Sequence, residues 1–199
     1  MDFAAIISFT LFAFIAAFTP GPNNVMLAAS GANYGIRQTL PHMWGVTIGF
    51  LALVLAGGLG LTSLFLTFPE IYNVMRIAAL GFLFYVAWKI AKAGPISEAS
   101  SAKPMTFTAA FLFQWVNPKG TSVVLSAITA YIGAGDTLFR DLAIIIVIFG
   151  IATFLSTLAW AGLGKAIGRF LQNDQLRKRF NYSMAAILVV ALIPVIFST

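Results

Sequence analysis

Six stretches of mostly apolar residues follow one another along the chain, and they constrain its fold more than any other feature. They cover about 3–30, 42–66, 72–92, 106–132, 139–162 and 181–198. A helix needs about 20 mostly apolar residues to cross a bilayer. Only 9% of the residues are charged and 60% are hydrophobic, whereas soluble domains carry about 25% charged residues. The sequence therefore predicts an all-α integral membrane protein with about six transmembrane helices in a single transmembrane domain, 1–199.

The connections between these stretches are short, and the cations are concentrated on one side. The connections are 31–41, 67–71, 93–105, 133–138 and 163–180. The first, third and fifth, with the adjoining helix ends, hold nine lysines and arginines, whereas the other two hold two. Cytoplasmic loops carry the excess of lysine and arginine. Both termini are therefore expected in the periplasm, with the protein in the bacterial inner membrane.

The N-terminus and the longest connection each allow a further prediction. The chain opens Met1-Asp2-Phe3, without the cationic start of a signal peptide, so a retained first span is expected. The longest connection, 163–180, fits either a short amphipathic segment on the membrane surface or a solvated loop.

Two of the six expected spans are interrupted near their middles. Thr19–Asn24 interrupts the first span, and Asn117–Gly120 interrupts the fourth. Six spans divide into two sets of three with opposite orientations, and such inverted repeats are common in transporters. The sequence predicts two inverted repeats of three helices, about 1–95 and 100–199, with helices 1 and 4 broken near mid-membrane.

These interruptions predict a binding site. Broken backbone at membrane depth must lie inside the protein or line a water-filled cavity. The N-terminus of a restarted helix carries unpaired N–H groups and partial positive charge, which bind carboxylates or phosphates. Lys119 adds a full charge near the bilayer midplane. The expected substrate-binding residues are Pro20, Gly21, Pro22, Asn23, Asn24, Gln114, Asn117, Pro118 and Lys119.

A purely structural explanation stays open for each of these features. The prolines can be simple kinks, Lys119 can extend to an interface or lose its proton in a dry pocket, and the amides can join helices. Gly31-x-x-x-Gly35 and Gly45-x-x-x-Gly49 are expected to allow close helix packing. His42 is expected at the membrane interface rather than in a proton relay.

Several functional classes are excluded by what the chain lacks. It contains no cysteine and one histidine, which argues against disulfides, thiol catalysis and a metal site. Nucleotide-binding and hydrolase motifs are missing. The positive net charge of +6 is explained by topology and lipid contact rather than by nucleic acid. No enzymatic activity, cofactor or nucleic-acid partner is expected.

The motifs resemble those of a known family. Thr19–Asn23, Gly35-x-Arg37 and Asn117–Lys119 are similar to motifs of the LysE/RhtB family of amino-acid exporters, and the resemblance covers the whole chain. Further likeness to the subgroup that exports cysteine and O-acetylserine lies in three short motifs, Ala87–Ala91, Ala102–Pro104 and Gln114–Asn117. The resemblance implies proton-driven efflux of amino acids or close derivatives from the bacterial cytoplasm.

The residues are compatible with that implication. Lys119 and the half-helix N-termini suit a carboxylate, and amides or unwound carbonyls suit an ammonium group. No aspartate or glutamate lies mid-span, so a small neutral amino acid is favoured and proton coupling has no obvious carboxylate. The alternatives are a transporter or channel for inorganic ions or another small anion, and an intramembrane enzyme or assembly subunit. Membrane lipids, protons and a second copy in a homodimer are the other candidate partners.

Overall fold

The computed structural model describes residues 1–61, 67–93, 104–132, 137–171, 173–191 and 193. Within these ranges the chain is helical and contains no strand, which confirms the all-α fold. The helices are α1 (Phe3–Phe18), α2 (Pro22–Ala56), α3 (Pro69–Ala91), α4 (Phe107–Val116), α5 (Pro118–Tyr131), α6 (Leu138–Gly168) and α7 (Asp174–Val190). A π-helical turn, Gly57–Leu61, continues α2.

A sharp reversal at Gly35 divides α2 into two segments. Gly35 has φ 75° and ψ 170°, a left-handed conformation that favours glycine because it has no Cβ. The hydroxyls of Ser30 and Thr39 lie 2.8 Å apart, although nine residues of continuous helix would separate them by about 13.5 Å. The expected connection 31–41 is therefore wrong in extent, since the chain turns back at one residue with helix on both sides.

The fifth expected connection is also shorter than the sequence indicated. A surface segment or loop is expected over 163–180, but α6 runs to Gly168 and α7 begins at Asp174. The extra turns of α6 pack against α2, which stabilises them as helix. Asn173 caps α7 by accepting a hydrogen bond from the backbone N–H of Leu176 at 2.7 Å. Parts of the connections 93–105 and 133–138 lie outside the described residues.

Small residues bring α2 and α6 into backbone contact. A Cβ added to Gly31 would lie 2.8 Å from the carbonyl carbon of Ala161. A Cβ on Gly164 would lie 2.7 Å from the carbonyl carbon of Ala28. A side-chain Cβ cannot approach a backbone carbon this closely. The two helices can therefore touch only because glycine has no Cβ at these positions. The packing role of Gly164 was not apparent from the sequence.

A second glycine pair brings α2 against α4. A Cβ on Gly49 would lie 2.7 Å from the carbonyl oxygen of Phe111, and Gly45 likewise faces the carbonyl oxygen of Phe107. The expected packing role of Gly45-x-x-x-Gly49 is therefore confirmed. A Cβ added to Gly35 would meet no atom within 4 Å, so the role of Gly35 is the reversal and not close packing.

Large apolar side chains on the outer helix faces indicate a lipid environment. Phe3, Ile7, Leu11 and Ile15 form an exposed stripe along α1 at four-residue spacing. Contiguous apolar surface of this kind is rare on soluble monomers. Inside, the rings of Phe9 and Phe149 meet edge to face with centroids 4.9 Å apart. The fold thus has apolar surface both inside and outside, as a membrane protein requires.

Two helical stretches among the described residues are long and apolar enough to cross a membrane. They are Pro22–Leu61 and Leu138–Gly168. Shorter apolar helices are Phe3–Phe18, Ile77–Ala91 and Phe107–Val116. Because Pro22–Leu61 folds back at Gly35, it supplies two antiparallel segments. The arrangement of six spans in two inverted repeats stays a prediction.

Candidate functional site

Both expected interruptions are real breaks between helices. One lies between α1, which ends at Phe18, and α2, which begins at Pro22. The other lies at Asn117, between α4 and α5, and α5 begins at Pro118. Proline suits the first helical position because it lacks an N–H that would otherwise be unpaired. Neither new helix has a side-chain cap, so backbone donors in its first turn remain free for another partner.

The carbonyl end of α1 is held by side chains from three other helices. Asn24 Nδ2 donates to the carbonyl oxygens of Ala17, at 3.0 Å, and Thr19, at 2.9 Å. Ser156 Oγ donates to Ala17 O at 2.7 Å. Lys119 Nζ donates to Thr19 O at 2.5 Å. Lys119 therefore joins the two breaks directly, and Asn24 acts at the break as a backbone partner.

The two amides Asn23 and Gln114 pair with each other across the site. Asn23 Nδ2 donates to Gln114 Oε1 at 2.7 Å, and Gln114 Nε2 donates back to Asn23 Oδ1 at 3.3 Å. Gln114 Nε2 also reaches the carbonyl oxygen of Ala110 at 2.8 Å. This pair links α2 to α4, so the interhelical role that the sequence left open for these amides is present in the structure.

One acceptor at the site is buried without a partner. Asn117 is 3% exposed, and its Oδ1 has no hydrogen-bond partner within the part of the chain that the structure describes. Buried polar atoms are normally paired, so such an atom requires an explanation. Its position in the wall of a cavity makes a ligand donor or a water the natural partner.

A cavity of about 60 Å³ opens between the two breaks. Seven of the nine expected residues line it: Gly21, Pro22, Asn23, Asn24, Gln114, Asn117 and Lys119. Pro20 is exposed and Pro118 is buried, and neither belongs to the lining. Pro118 instead starts α5. The cavity has room for a few water molecules or the polar head of a small ligand.

Helix α6 adds three hydroxyls that were not predicted from the sequence. Thr153, Ser156 and Thr157 line the same cavity and are buried. Their spacing of three and four residues places them on one face of the apolar central part of α6, and that pattern was a usable signal. They make the α6 wall polar where it faces the breaks.

The formal charge of the described cavity lining is positive. Lys119 is the only ionisable side chain in its described lining, and no carboxylate faces it. Two helix N-termini add partial positive charge. Within the described ranges, no group of three histidine, cysteine, aspartate or glutamate side chains forms that could hold a metal ion. The cavity is therefore suited to a ligand with a negative group and a hydrogen-bond donor.

The chain is similar to known proteins over most of its length. The family model described as LysE type translocator matches residues 14–196. The chain is 27% identical over 192 residues to the cysteine/O-acetylserine efflux proteins of Escherichia coli strain K12 and Shigella flexneri, covering 96% of each chain. No solved structure matches the chain significantly.

Proposed function

The chain belongs to the family of LysE type translocators, and on this premise we propose that it exports small neutral amino acids or their close derivatives from the bacterial cytoplasm. Its relatives are named for efflux of cysteine and O-acetylserine, which are molecules of this class. The family is described as one of translocators, and we propose no enzymatic activity for this chain. The transport route is proposed to pass through the cavity between the two breaks.

The observation that carries this proposal is the pairing of donors and an acceptor in one cavity. Lys119 uses one donor on Thr19 O, which leaves two of its three N–H groups for a carboxylate. The uncapped starts of α2 and α5 supply further donors and positive potential. Asn117 Oδ1 is a free acceptor for an ammonium group. A zwitterionic amino acid has both groups.

The charge of the lining supports a neutral side chain on the substrate. A cationic amino acid would need a carboxylate to offset its second positive charge, and the described lining contains none. Because the described lining has no carboxylate, proton coupling must use another ionisable group. We propose that the proton gradient drives export, with Lys119 as the ionisable group at the site.

A second candidate function rests on the same positive charge. Lys119 between two helix N-termini also suits an inorganic anion, so a transporter or channel for small anions is the alternative. Asn117 Oδ1 is the feature that separates an amino acid from an anion such as chloride, because chloride provides no donor for a buried acceptor.

Reconstitution tests the two functions against each other. We expect liposomes with the purified protein to show saturable counterflow of radiolabelled O-acetyl-L-serine. Unlabelled L-cysteine should compete with it, and L-lysine should not. Imposing a proton gradient should accelerate uphill transport. Flux of chloride or phosphate without any amino-acid counterflow would instead support the anion alternative.

The proposed topology places both termini in the periplasm, and it rests on the nine-to-two cation count. The two halves, 1–95 and 100–199, are then inverted repeats within one domain. A cysteine at exposed Phe170, between α6 and α7, should react with an impermeant maleimide only after the inner membrane is breached. The matched cysteine at exposed Phe68 should react in intact spheroplasts. The reverse pattern would contradict this orientation.

A further inference from the structure

A second, larger cavity lies between α2, α3 and α4. Its volume is about 310 Å³, enough for a small ligand rather than a few waters. Its polar lining residues are Ser30, Asn33, Tyr34, His42, Tyr85, Lys89 and Thr106. Lys89 is exposed and belongs to the side that the cation count assigns to the cytoplasm. The cavity is therefore distinct from the one at the breaks and lies toward the inner end of the same helices.

His42 is the residue of this cavity that its surroundings leave unexplained. The sequence predicts it at the membrane interface, but it is 1% exposed. Neither Nδ1 nor Nε2 has a hydrogen-bond partner among the residues that the structure describes. A neutral imidazole has one N–H donor and one acceptor nitrogen, and buried polar groups are normally paired. A ligand in the cavity can supply a missing partner.

Two buried polar neighbours of His42 in this cavity, Asn33 and Ser30, are already paired. Asn33 Nδ2 donates to Asn181 Oδ1 at 2.8 Å and to Ala29 O at 2.9 Å. The Ser30 hydroxyl bonds to that of Thr39. The Asn33–Asn181 contact holds α2 and α7 together. His42 makes no such structural contact among the described residues, so a purely architectural role does not account for its imidazole.

The two cavities share the faces of two helices. On α2, Asn23 and Asn24 line the break cavity, whereas Ala29 and Asn33 line the inner one. Ten residues of helix, from Asn23 to Asn33, span about 15 Å. On α4, Gln114 lines the first cavity and Ala109 the second.

Buried apolar side chains separate the two cavities. Met26 and Phe113 belong to one apolar cluster and are 3% and 2% exposed. The ring of Phe82, which lines the inner cavity, stacks on Phe113 with centroids 5.1 Å apart. A polar molecule moving from one cavity to the other must pass this barrier.

We propose that the inner cavity is a second binding site for the exported zwitterionic amino acid, occupied on the cytoplasmic side before the molecule reaches the breaks. The His42 imidazole donates a hydrogen bond to the carboxylate through the ring nitrogen that carries the proton. Lys89 at the rim attracts the carboxylate. The inference rests on the proposed export function and adds a binding residue outside the break cavity.

Protection of an introduced cysteine tests this site. The native chain has no cysteine, and Ala109 lines the inner cavity and is half-buried. In purified Ala109→Cys protein, O-acetyl-L-serine should slow the reaction with a small maleimide about tenfold. The slowing should persist when Lys119→Met disables the break cavity. It should disappear in His42→Phe and remain in part in His42→Gln, which keeps a donor and an acceptor.

The outcomes separate this inference from the export function. Normal efflux without protection at position 109 overturns the second site and leaves export intact. Protection that is unchanged in His42→Phe overturns the role of His42. Protection by phosphate or chloride but not by amino acids also contradicts the proposal. If His42→Phe does not fold, protection in the Lys119→Met background decides, since only a separate site produces it there.

Discussion

Replacement of Lys119 with methionine is expected to abolish saturable amino-acid efflux. The Lys119 ammonium lies at the start of α5 and reaches Thr19 O across the cavity. Methionine keeps most of the side-chain volume but leaves the substrate's carboxylate without its charged partner. Losing one partner of a buried charge pair typically costs about 3–5 kcal/mol, so apparent affinity should fall more than a hundredfold. Initial efflux rates from liposomes across a range of substrate concentrations measure this effect.

A substrate analogue separates carboxylate binding from the structural tie to Thr19. L-Serinamide lacks the carboxylate, so the wild-type protein should export it far more slowly than L-serine. The Lys119→Met variant should lose this discrimination. Lys119→Arg should restore part of the transport, because arginine keeps the charge in a larger, forked group. Normal export of L-serine by the methionine variant, or equal export of acid and amide by the wild type, would contradict this role.

The second large effect is expected at Gly164, where α6 meets α2. An alanine Cβ would lie 2.7 Å from the carbonyl carbon of Ala28 and 2.9 Å from its Cα. These are backbone atoms and cannot rotate away, so the helices must separate. Overpacking of this kind costs about 1–3 kcal/mol, and rigid neighbours favour the upper end. The unfolding temperature in detergent should fall by roughly 10 °C.

Gly162 provides the matched control on the same helix. A Cβ at Gly162 meets no atom of the described residues within 4 Å. Gly162→Ala should therefore leave the unfolding temperature unchanged or raise it slightly, since alanine is the better helix former. Equal unfolding temperatures for the two variants would show that the contact between α2 and α6 does not depend on the missing side chain at Gly164.

The breaks could be predicted from the sequence because their causes are local. Pro22 and Pro118 each follow an extended residue and each starts a helix, and the lack of a proline N–H acts within one turn. The helical hairpin formed at Gly35 was less accessible. Glycine permits a left-handed turn, but the sequence does not show that one residue would suffice to reverse the chain.

The partners across the site could not be predicted, because they depend on tertiary packing. Asn23 meets Gln114 from 91 residues away, and Ser156 reaches Ala17 O over 139 residues. Amides at membrane depth indicate interhelical bonds but do not name the partner. His42 shows the same limit, since its burial depends on how other helices pack over it. The composition around it does not distinguish an interfacial position from a buried one.

The reversal at Gly35 has a consequence for how the protein enters the bilayer. The two segments of α2 are joined by a single non-helical residue, so they form a tight helical hairpin. We expect the translocation machinery to release them together as a helical hairpin. In that form, the Ser30 and Thr39 hydroxyls pair with each other instead of meeting hydrocarbon alone. Biogenesis, and not only the finished fold, then depends on this one glycine.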